Sequence, residues 1–170
     1  MLTFAGMDRL NRSATGYIKS VSSRTAGEEK EKVVPIAYFG SAMTSHGEDF
    51  EPDSEFGQCL TSLGRANERI ARMQETYAAN ATSSWLESLD RSLVQMKEYQ
   101  AARKKLESRR LAYDTAAQKM QKSKKEDFRM EEELRSQKAK YEESNEDVFR
   151  RMLDIKEAEP DSVQDLTSFL

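Results

Sequence analysis

From Asp53 to about Ser123 the chain runs some seventy residues without a proline. Nothing in that stretch forbids a single uninterrupted helix. At 1.5 Å per residue such a helix is roughly 105 Å long, against about 11 residues for a typical globular helix. Its apolar residues step by three and four: Phe56, Leu60, Leu63, Ile70, Met73, Tyr77, Leu89, Leu93, Met96, Leu106, Tyr113, Ala117 and Met120. Leu63 to Ile70, Tyr99 to Leu106 and Leu106 to Tyr113 are full sevens. A narrow stripe of that period is a coiled-coil seam, which is satisfied only against other helices. A long, charged, one-sided rod suits assembly and surface binding rather than the enclosure of a reaction.

The 170 residues are enough for one domain, and 34 % of them are charged against 37 % hydrophobic. With a heptad pattern, that balance points to long helices or coiled coil. Such helices bury little surface alone, so stability is expected from other helices, including a second chain. The net charge of −3 hides segregation. Arg91 to Lys125 holds eleven Lys and Arg against three acids, whereas Glu126 to Glu159 holds seven bases against twelve acids. The basic block is a candidate surface for an anionic partner.

No segment approaches the ~18 apolar residues of a membrane span, and the start lacks the basic and apolar regions of a signal peptide. A cytoplasmic protein is expected. Cys59 stands alone; its seam setting predicts a small buried hydrophobe. His46, the single histidine, sits near Glu48 and Asp49, but no second His or Cys completes a metal site. It is expected at a helix end, where the dipole favours it. No nucleophile–base pair, phosphate-binding Gly loop or ligand spacing is present, so neither an enzyme nor a cofactor is expected.

Around the long helix the pattern predicts three further elements. Residues 2–24 carry Met7, Leu10, Ala14, Tyr17 and Val21 at alternating threes and fours, a first helix with no evident cap. Residues 25–52 form a linker holding a short helix over 35–46. Pro35 suits its first turn, Ile36, Phe39 and Met43 share a face, and Gly47 is expected to end it. The long second helix spans 53–123, with Ser54 or Asp53 as its cap. After a tight reversal, residues 126–170 give a third helix, with Leu134, Tyr141, Val148 and Ile155 at strict sevens and a kink near Pro160. The third helix should pack antiparallel on the second. Leu63, Ile70, Trp85, Leu89, Leu93, Leu106 and Tyr141 are the candidate core or dimer positions, Trp85 being the bulkiest near mid-helix. Gly57 and Gly64 each cost a helix roughly 1 kcal/mol; close approach of another helix at Gly64 would offset that.

Lys97, Lys104 and Lys122 are spaced by seven and eighteen, so they share a stripe, with Lys105, Arg109, Lys119 and Lys125 near it. Only Glu98, Glu107 and Asp114 interleave, fewer acids than an ordinary solvated face would carry. Tyr99 and Tyr113 lie in the seam and offer no stacking platform, which argues against nucleic acid. A basic face spread along a helix suits a lipid headgroup layer.

The run Lys104-Lys105-Leu106-Glu107-Ser108-Arg109-Arg110-Leu111-Ala112-Tyr113-Asp114 resembles the middle of the endophilin BAR domain, which has Gly in place of Ser108. Lys119, Lys122, Lys124 and Lys125 fall where that family has a basic tip. Glu132-Glu133-Leu134-Arg135 and Lys140-Tyr141-Glu142-Glu143-Ser144 resemble the start of its third helix, and Ser45-His46-Gly47-Glu48-Asp49-Phe50 the entry to its second. The wording is similar to fungal endophilin-like proteins. The resemblance implies an all-α fold, an elongated antiparallel three-helix coiled coil that dimerises into a crescent. It implies a single BAR domain over 1–170, truncated at both ends, without the amphipathic leading segment or a following Src-homology 3 module.

The same resemblance implies a membrane-binding, curvature-sensing and curvature-shaping protein of endocytosis and vesicle traffic, cytoplasmic and peripheral on membranes. Carried across by position, the lipid-binding candidates are Lys104, Lys105, Arg109, Lys119, Lys122, Lys124 and Lys125, with Arg65, Arg69 and Arg72 weaker. The expected partners are an anionic phospholipid membrane, a second copy of the chain and endocytic or actin-associated proteins, with no nucleic acid. The competing expectation is a cytosolic coiled-coil scaffold that binds proteins without touching lipid.

Overall fold

The computed structural model describes residues 4–27, 32–122 and 127–169. Among the described residues the fold is all-α apart from one two-residue ladder. Helix α1 is Phe4–Val21, α2 is Pro35–Glu48, α3 is Glu55–Asn80, α4 is Glu87–Lys122, α5 is Phe128–Glu157 and α6 is Glu159–Phe169. Between α3 and α4 the backbone passes through a π-helical segment, Ala81–Leu86. Within the linker, Thr25–Ala26 (β1) pairs antiparallel with Lys32–Val33 (β2). The chain divides into two compact units, one of residues 1–8 with 88–167 and the other of residues 9–87 with 168–170.

In the second of these units, α1 and α2 both pack on α3. Val21 accepts a hydrogen bond from Gln74 Nε2 at 2.5 Å, Arg24 pairs with Glu75 at 3.0 Å, and Tyr17 meets Tyr77 edge-on at 6.4 Å. Rising numbers on α1 thus meet falling numbers on α3, and the two run antiparallel. Ile18, Ala78 and Ala81 make a small buried cluster, with Val21 and Leu86 packed against it. Pro35 opens α2 directly after the buried Val34, and Ser54 caps α3 by accepting from the Gly57 N–H.

The α2–α3 contact is made by glycines. Gly40 and Gly47 on α2, and Gly57 and Gly64 on α3, are all buried. A Cβ at Gly40 would lie 2.8 Å from the Gly64 carbonyl oxygen, and one at Gly64 would lie 2.6 Å from that of Gly40. The expected stop at Gly47 is therefore wrong. The helix continues through Glu48, because Gly47 is needed to let α2 pass under Thr61 rather than to supply a left-handed cap. The buried stripe of α3 is Gly57, Gly64, Ala71 and Ala78, small residues at strict sevens. It is not the bulky stripe that carries Leu63 and Ile70.

In the other unit, α4 and α5 are antiparallel: Tyr113 stacks on Tyr141 with centroids 5.8 Å apart, Glu98 pairs with Arg151 at 2.7 Å, and Arg91 pairs with Asp165 of α6 at 2.9 Å. Leu89, Leu93 and Ala102 on α4 and Val148 on α5 are buried. Asp127 caps α5 through the Arg129 N–H, and the turn at Ala158 separates α5 from α6, whose first turn holds Pro160. The reversal expected at residues 124–127 falls mostly outside the described residues.

Two further expectations fail. Cys59 is exposed, not buried; it lies beside Phe56 on the side of α3 that neither α1 nor α2 covers. The long helix is not uniformly α-helical either. Thr82 and Ser84 bond back to the carbonyls of Ala78 and Asn80 at 2.7 and 2.6 Å, which competes with the regular ladder at the π segment.

Candidate functional site

Helix α4 turns about 100° per residue, so Lys104 and Lys122, eighteen residues apart, are five turns apart and eclipsed. Lys97 lies about 20° away and Lys119 about 60° away on the same side. Leu106, Tyr113 and Met120, the half-buried seam residues, point to the opposite side. Lys97, Lys104, Lys105, Lys119 and Lys122 are all exposed, whereas Arg109 is half-buried near the α4–α5 seam. Lys124 and Lys125 lie outside the described residues.

Two of the acids of α4 are engaged by arginines. Glu98 is held by Arg151, and Asp114 lies 3.9 Å from Arg110. Among the described residues, none of Lys97, Lys104, Lys105, Lys119 or Lys122 forms an ion pair. Arg151 is further engaged by Asp147, which also accepts from Arg150 at 2.8 Å. Desolvation pushes the Asp147 carboxyl up, but the hydrogen bonds from Arg150 and Arg151 outweigh it and leave the group below its ordinary range. Three cations of α5, Lys138, Arg150 and Arg151, are thus engaged by acids. An open groove of about 330 Å³ runs beside α4, lined by Leu111, Ala112, Thr115, Ala116, Lys119, Glu133 and Gln137.

In the other unit, Arg65, Arg69 and Arg72 form an exposed ridge along α3. Arg65 and Arg69 also line an open cleft of about 610 Å³ at the α2–α3 turn, where Glu48 lies 3.9 Å from Arg65. Both hollows are open and of mixed charge, and neither encloses a ligand. Among the described residues no group of three or more His, Cys, Asp and Glu is placed to hold a metal ion. No helix among them is long and apolar enough to cross a membrane.

Of the core or dimer candidates, Leu89 and Leu93 are buried, and Trp85, Leu106 and Tyr141 are half-buried. Leu63 and Ile70 are 53 % and 48 % exposed. With Phe56 they make an exposed apolar file at strict sevens along α3, whose next member, Tyr77, packs against Tyr17 of α1. On α5 and α6, Phe149, Met152, Val163 and Leu166 are likewise exposed. The sequence reading missed the glycine file of α2. Its signal was present as the seven-residue spacing of Gly40 to Gly47, matched by Gly57 to Gly64.

A family model described as "BAR domain" matches residues 1–170. The chain is 41 % identical over 165 residues to the "Meiotically up-regulated gene 137 protein" of Schizosaccharomyces pombe, covering 97 % of this chain and 39 % of that protein. It is 29 % identical over 164 residues to Endophilin-A3 of Mus musculus, covering 94 % of this chain and 45 % of that protein. With Endophilin-A2 of Gallus gallus the identity is 28 % over 151 residues, 87 % of this chain and 40 % of that protein. The chain therefore spans less than half the length of these curated relatives.

Proposed function

The chain belongs to the BAR domain family, and on that premise we propose that it is a non-enzymatic module that dimerises and holds curved anionic membrane against the basic face of α4. The family and its endophilin members support membrane-curvature work of the endocytic type in general. The face, the lipid charge and the process are our assignments.

The observation that carries this reading is the exposed lysine stripe of α4, none of whose lysines forms an ion pair among the described residues and on whose side Glu107 is outnumbered by Lys97, Lys104, Lys119 and Lys122. Lys97, Lys104, Lys119 and Lys122 share one side, and Lys105 borders it. Each lysine near an anionic leaflet contributes about 1 kcal/mol. Four of them together supply about 4 kcal/mol, roughly a thousandfold in affinity. Arg109, Lys124 and Lys125, and the Arg65–Arg69–Arg72 ridge, are secondary candidates. The exposed heptad file on α3, Phe56, Leu63 and Ile70, supports a homodimer, because such a file needs a second helix. The setting is cytoplasmic and peripheral on membranes, with endocytic or actin-associated proteins as further partners.

The test is co-sedimentation with phosphatidylserine-containing and with pure phosphatidylcholine vesicles, using the chain and its Lys104→Glu, Lys119→Glu, Lys122→Glu triple variant. Binding to the anionic vesicles alone, lost in the variant, is expected. Equal binding to both vesicles refutes the assignment. Absence of binding by soluble, helical protein refutes it too, and leaves a protein-binding coiled-coil scaffold.

A further inference from the structure

The groove between α4 and α5 carries an opposed pair of charges that do not meet. Lys119 lines it from α4 and Glu133 from α5. Tyr113 stacked on Tyr141 sets the antiparallel register, which brings the first turns of α5 alongside the last turns of α4. Both residues are exposed, yet among the described residues no ion pair joins them. Leu111 and Lys119 lie within about 60° of Lys104 around α4, so the groove borders the lysine side of that helix.

Glu133 is held from its own helix. Gln137 Nε2 donates to Glu133 Oε1 at 2.6 Å. That bond fixes which end of the amide faces the carboxylate, since two acceptors would repel. It leaves Gln137 Oε1 buried with no hydrogen-bond partner among the described residues. Buried acceptors are normally paired, so an orphan calls for a reason. Here the amide leaves its own oxygen unpaired and fixes a carboxylate at the groove, with a lysine on the opposite wall. Between them lie Ala112, Ala116 and the 63 % exposed Leu111, an apolar floor.

A few polar groups around an apolar floor set the orientation of what binds. The occupant that fits has an anion for Lys119, a short carbon link for the alanines, and a cation with N–H donors for Glu133. A phosphodiester joined through carbon to a primary ammonium has that order. A glycerol headgroup has no cation, and the quaternary ammonium of choline has no N–H to donate. A serine headgroup adds a carboxylate beside the ammonium, which Glu133 repels. The position of the groove beside the lysine stripe makes the source a lipid.

We propose that the α4–α5 groove is a subsite for the ethanolamine headgroup of a phospholipid. Lys119 Nζ pairs with the phosphodiester, the Glu133 carboxylate accepts from the ammonium, and Gln137 positions Glu133. This inference rests on the membrane reading given above, and adds a lipid of no net charge to the anionic ones that the lysines attract.

The test is co-sedimentation of the whole chain with phosphatidylglycerol vesicles whose remaining lipid is phosphatidylethanolamine or phosphatidylcholine, at equal anionic fraction. Wild type, Glu133→Gln, Gln137→Leu and Glu143→Gln are compared, Glu143 being an exposed acid of α5 outside the groove lining. The two neutral headgroups differ only in methylation of the amine. Wild type should bind the ethanolamine vesicles up to about fivefold more tightly, the worth of one exposed ion pair. Glu133→Gln removes an acid, so charge alone strengthens binding to both vesicles, while the groove requires that the preference between them disappear. Gln137→Leu should lose the preference too, and Glu143→Gln should keep it. Circular dichroism follows helicity, and Glu133→Gln, at an exposed position, carries the test if Gln137→Leu unfolds. Absence of binding to either vesicle by helical protein sinks the membrane reading and this inference together. Equal binding of wild type to both sinks only the groove. A preference that survives in a folded groove variant also sinks it, since vesicle packing rather than the amine then sets the difference. Loss of the preference in Glu143→Gln as well assigns the effect to net charge and overturns the site.

Discussion

Replacing Gly64 by Ala should destabilise the protein although it improves the helix. Gly64 lies inside α3, where Ala is favoured over Gly by about 1 kcal/mol. The added Cβ, however, would lie 2.6 Å from the Gly40 carbonyl oxygen and 2.7 Å from the Thr44 nitrogen, and would also strike the Thr44 hydroxyl. Two of these are backbone atoms of α2 and have no rotamer in which to retreat. Ordinary contact begins near 3.4 Å, so α2 must move off by most of an ångström over its length. Overpacking of this kind costs about 1–3 kcal/mol. Set against the propensity gain, the net loss should be about 0–2 kcal/mol. Gly16 in α1 is the internal control, since a Cβ there meets nothing within 4 Å. Gly16→Ala should therefore stabilise by the propensity term alone, about 1 kcal/mol. Urea denaturation followed at 222 nm, with both variants at equal protein concentration, separates the two. If Gly64→Ala is as stabilising as Gly16→Ala, the close approach of α2 is not made in solution and the argument from it fails.

Leu89→Ala, at a position 6 % exposed, should cost about 2–5 kcal/mol in urea, whereas Leu63→Ala, 53 % exposed, should change monomer stability by no more than about 0.5 kcal/mol and weaken only the dimer. Asp147 titrates below its ordinary value in the folded chain, and the unfolded value is near 3.9. The stability it supplies is therefore fully present above about pH 4 and lost as pH falls through the folded value. Acid titration of Asp147→Asn should show a shallower loss of helicity than wild type over that window; an unchanged slope would mean that the Arg150 and Arg151 contacts do not hold.

Where bulk and periodicity agree with packing, the fold was legible in the sequence. The threes and fours of α1 led to the buried Ala14, but Leu10 and Tyr17 of the same file are exposed and the buried Ile18 stood one residue off it, whereas Tyr141 with Val148 marked the face of α5 that meets α4. Where a helix packs through its smallest residues, reading by bulk points the wrong way. Phe56, Leu63 and Ile70, a stripe expected to meet another helix in the core or in a dimer, lie outside the intrachain contact of α3, because Gly57, Gly64, Ala71 and Ala78 let neighbouring backbones come closer than any large side chain allows. Cys59 was misplaced by the same error. The π segment was hidden for a different reason: Thr82 and Ser84 are ordinary helix residues by propensity, and their effect depends on where their hydroxyls bond. The lysine stripe of α4 was legible because helical spacing alone sets it, except at Arg109, whose half-burial depends on which side α5 occupies.

The two surfaces assigned to the chain differ in what holds them, and salt should separate them. The exposed file of Phe56, Leu63 and Ile70 on α3 is apolar, and exposed ion pairs beside it are worth about 0–1 kcal/mol each. Hydrophobic burial is not weakened by added sodium chloride in the way that screened charges are. The α4 face has no comparable apolar contribution beyond Leu111, and its lysines act across solvent. Raising ionic strength from about 0.1 M to 1 M shortens the screening length from about 10 Å to 3 Å. Binding to phosphatidylserine vesicles should then fall by at least a hundredfold, roughly 3 of the estimated 4 kcal/mol, while the dimer constant moves less than about tenfold. A dimer that dissociates with the same salt dependence as lipid binding would mean that charge, not the apolar file, joins the copies.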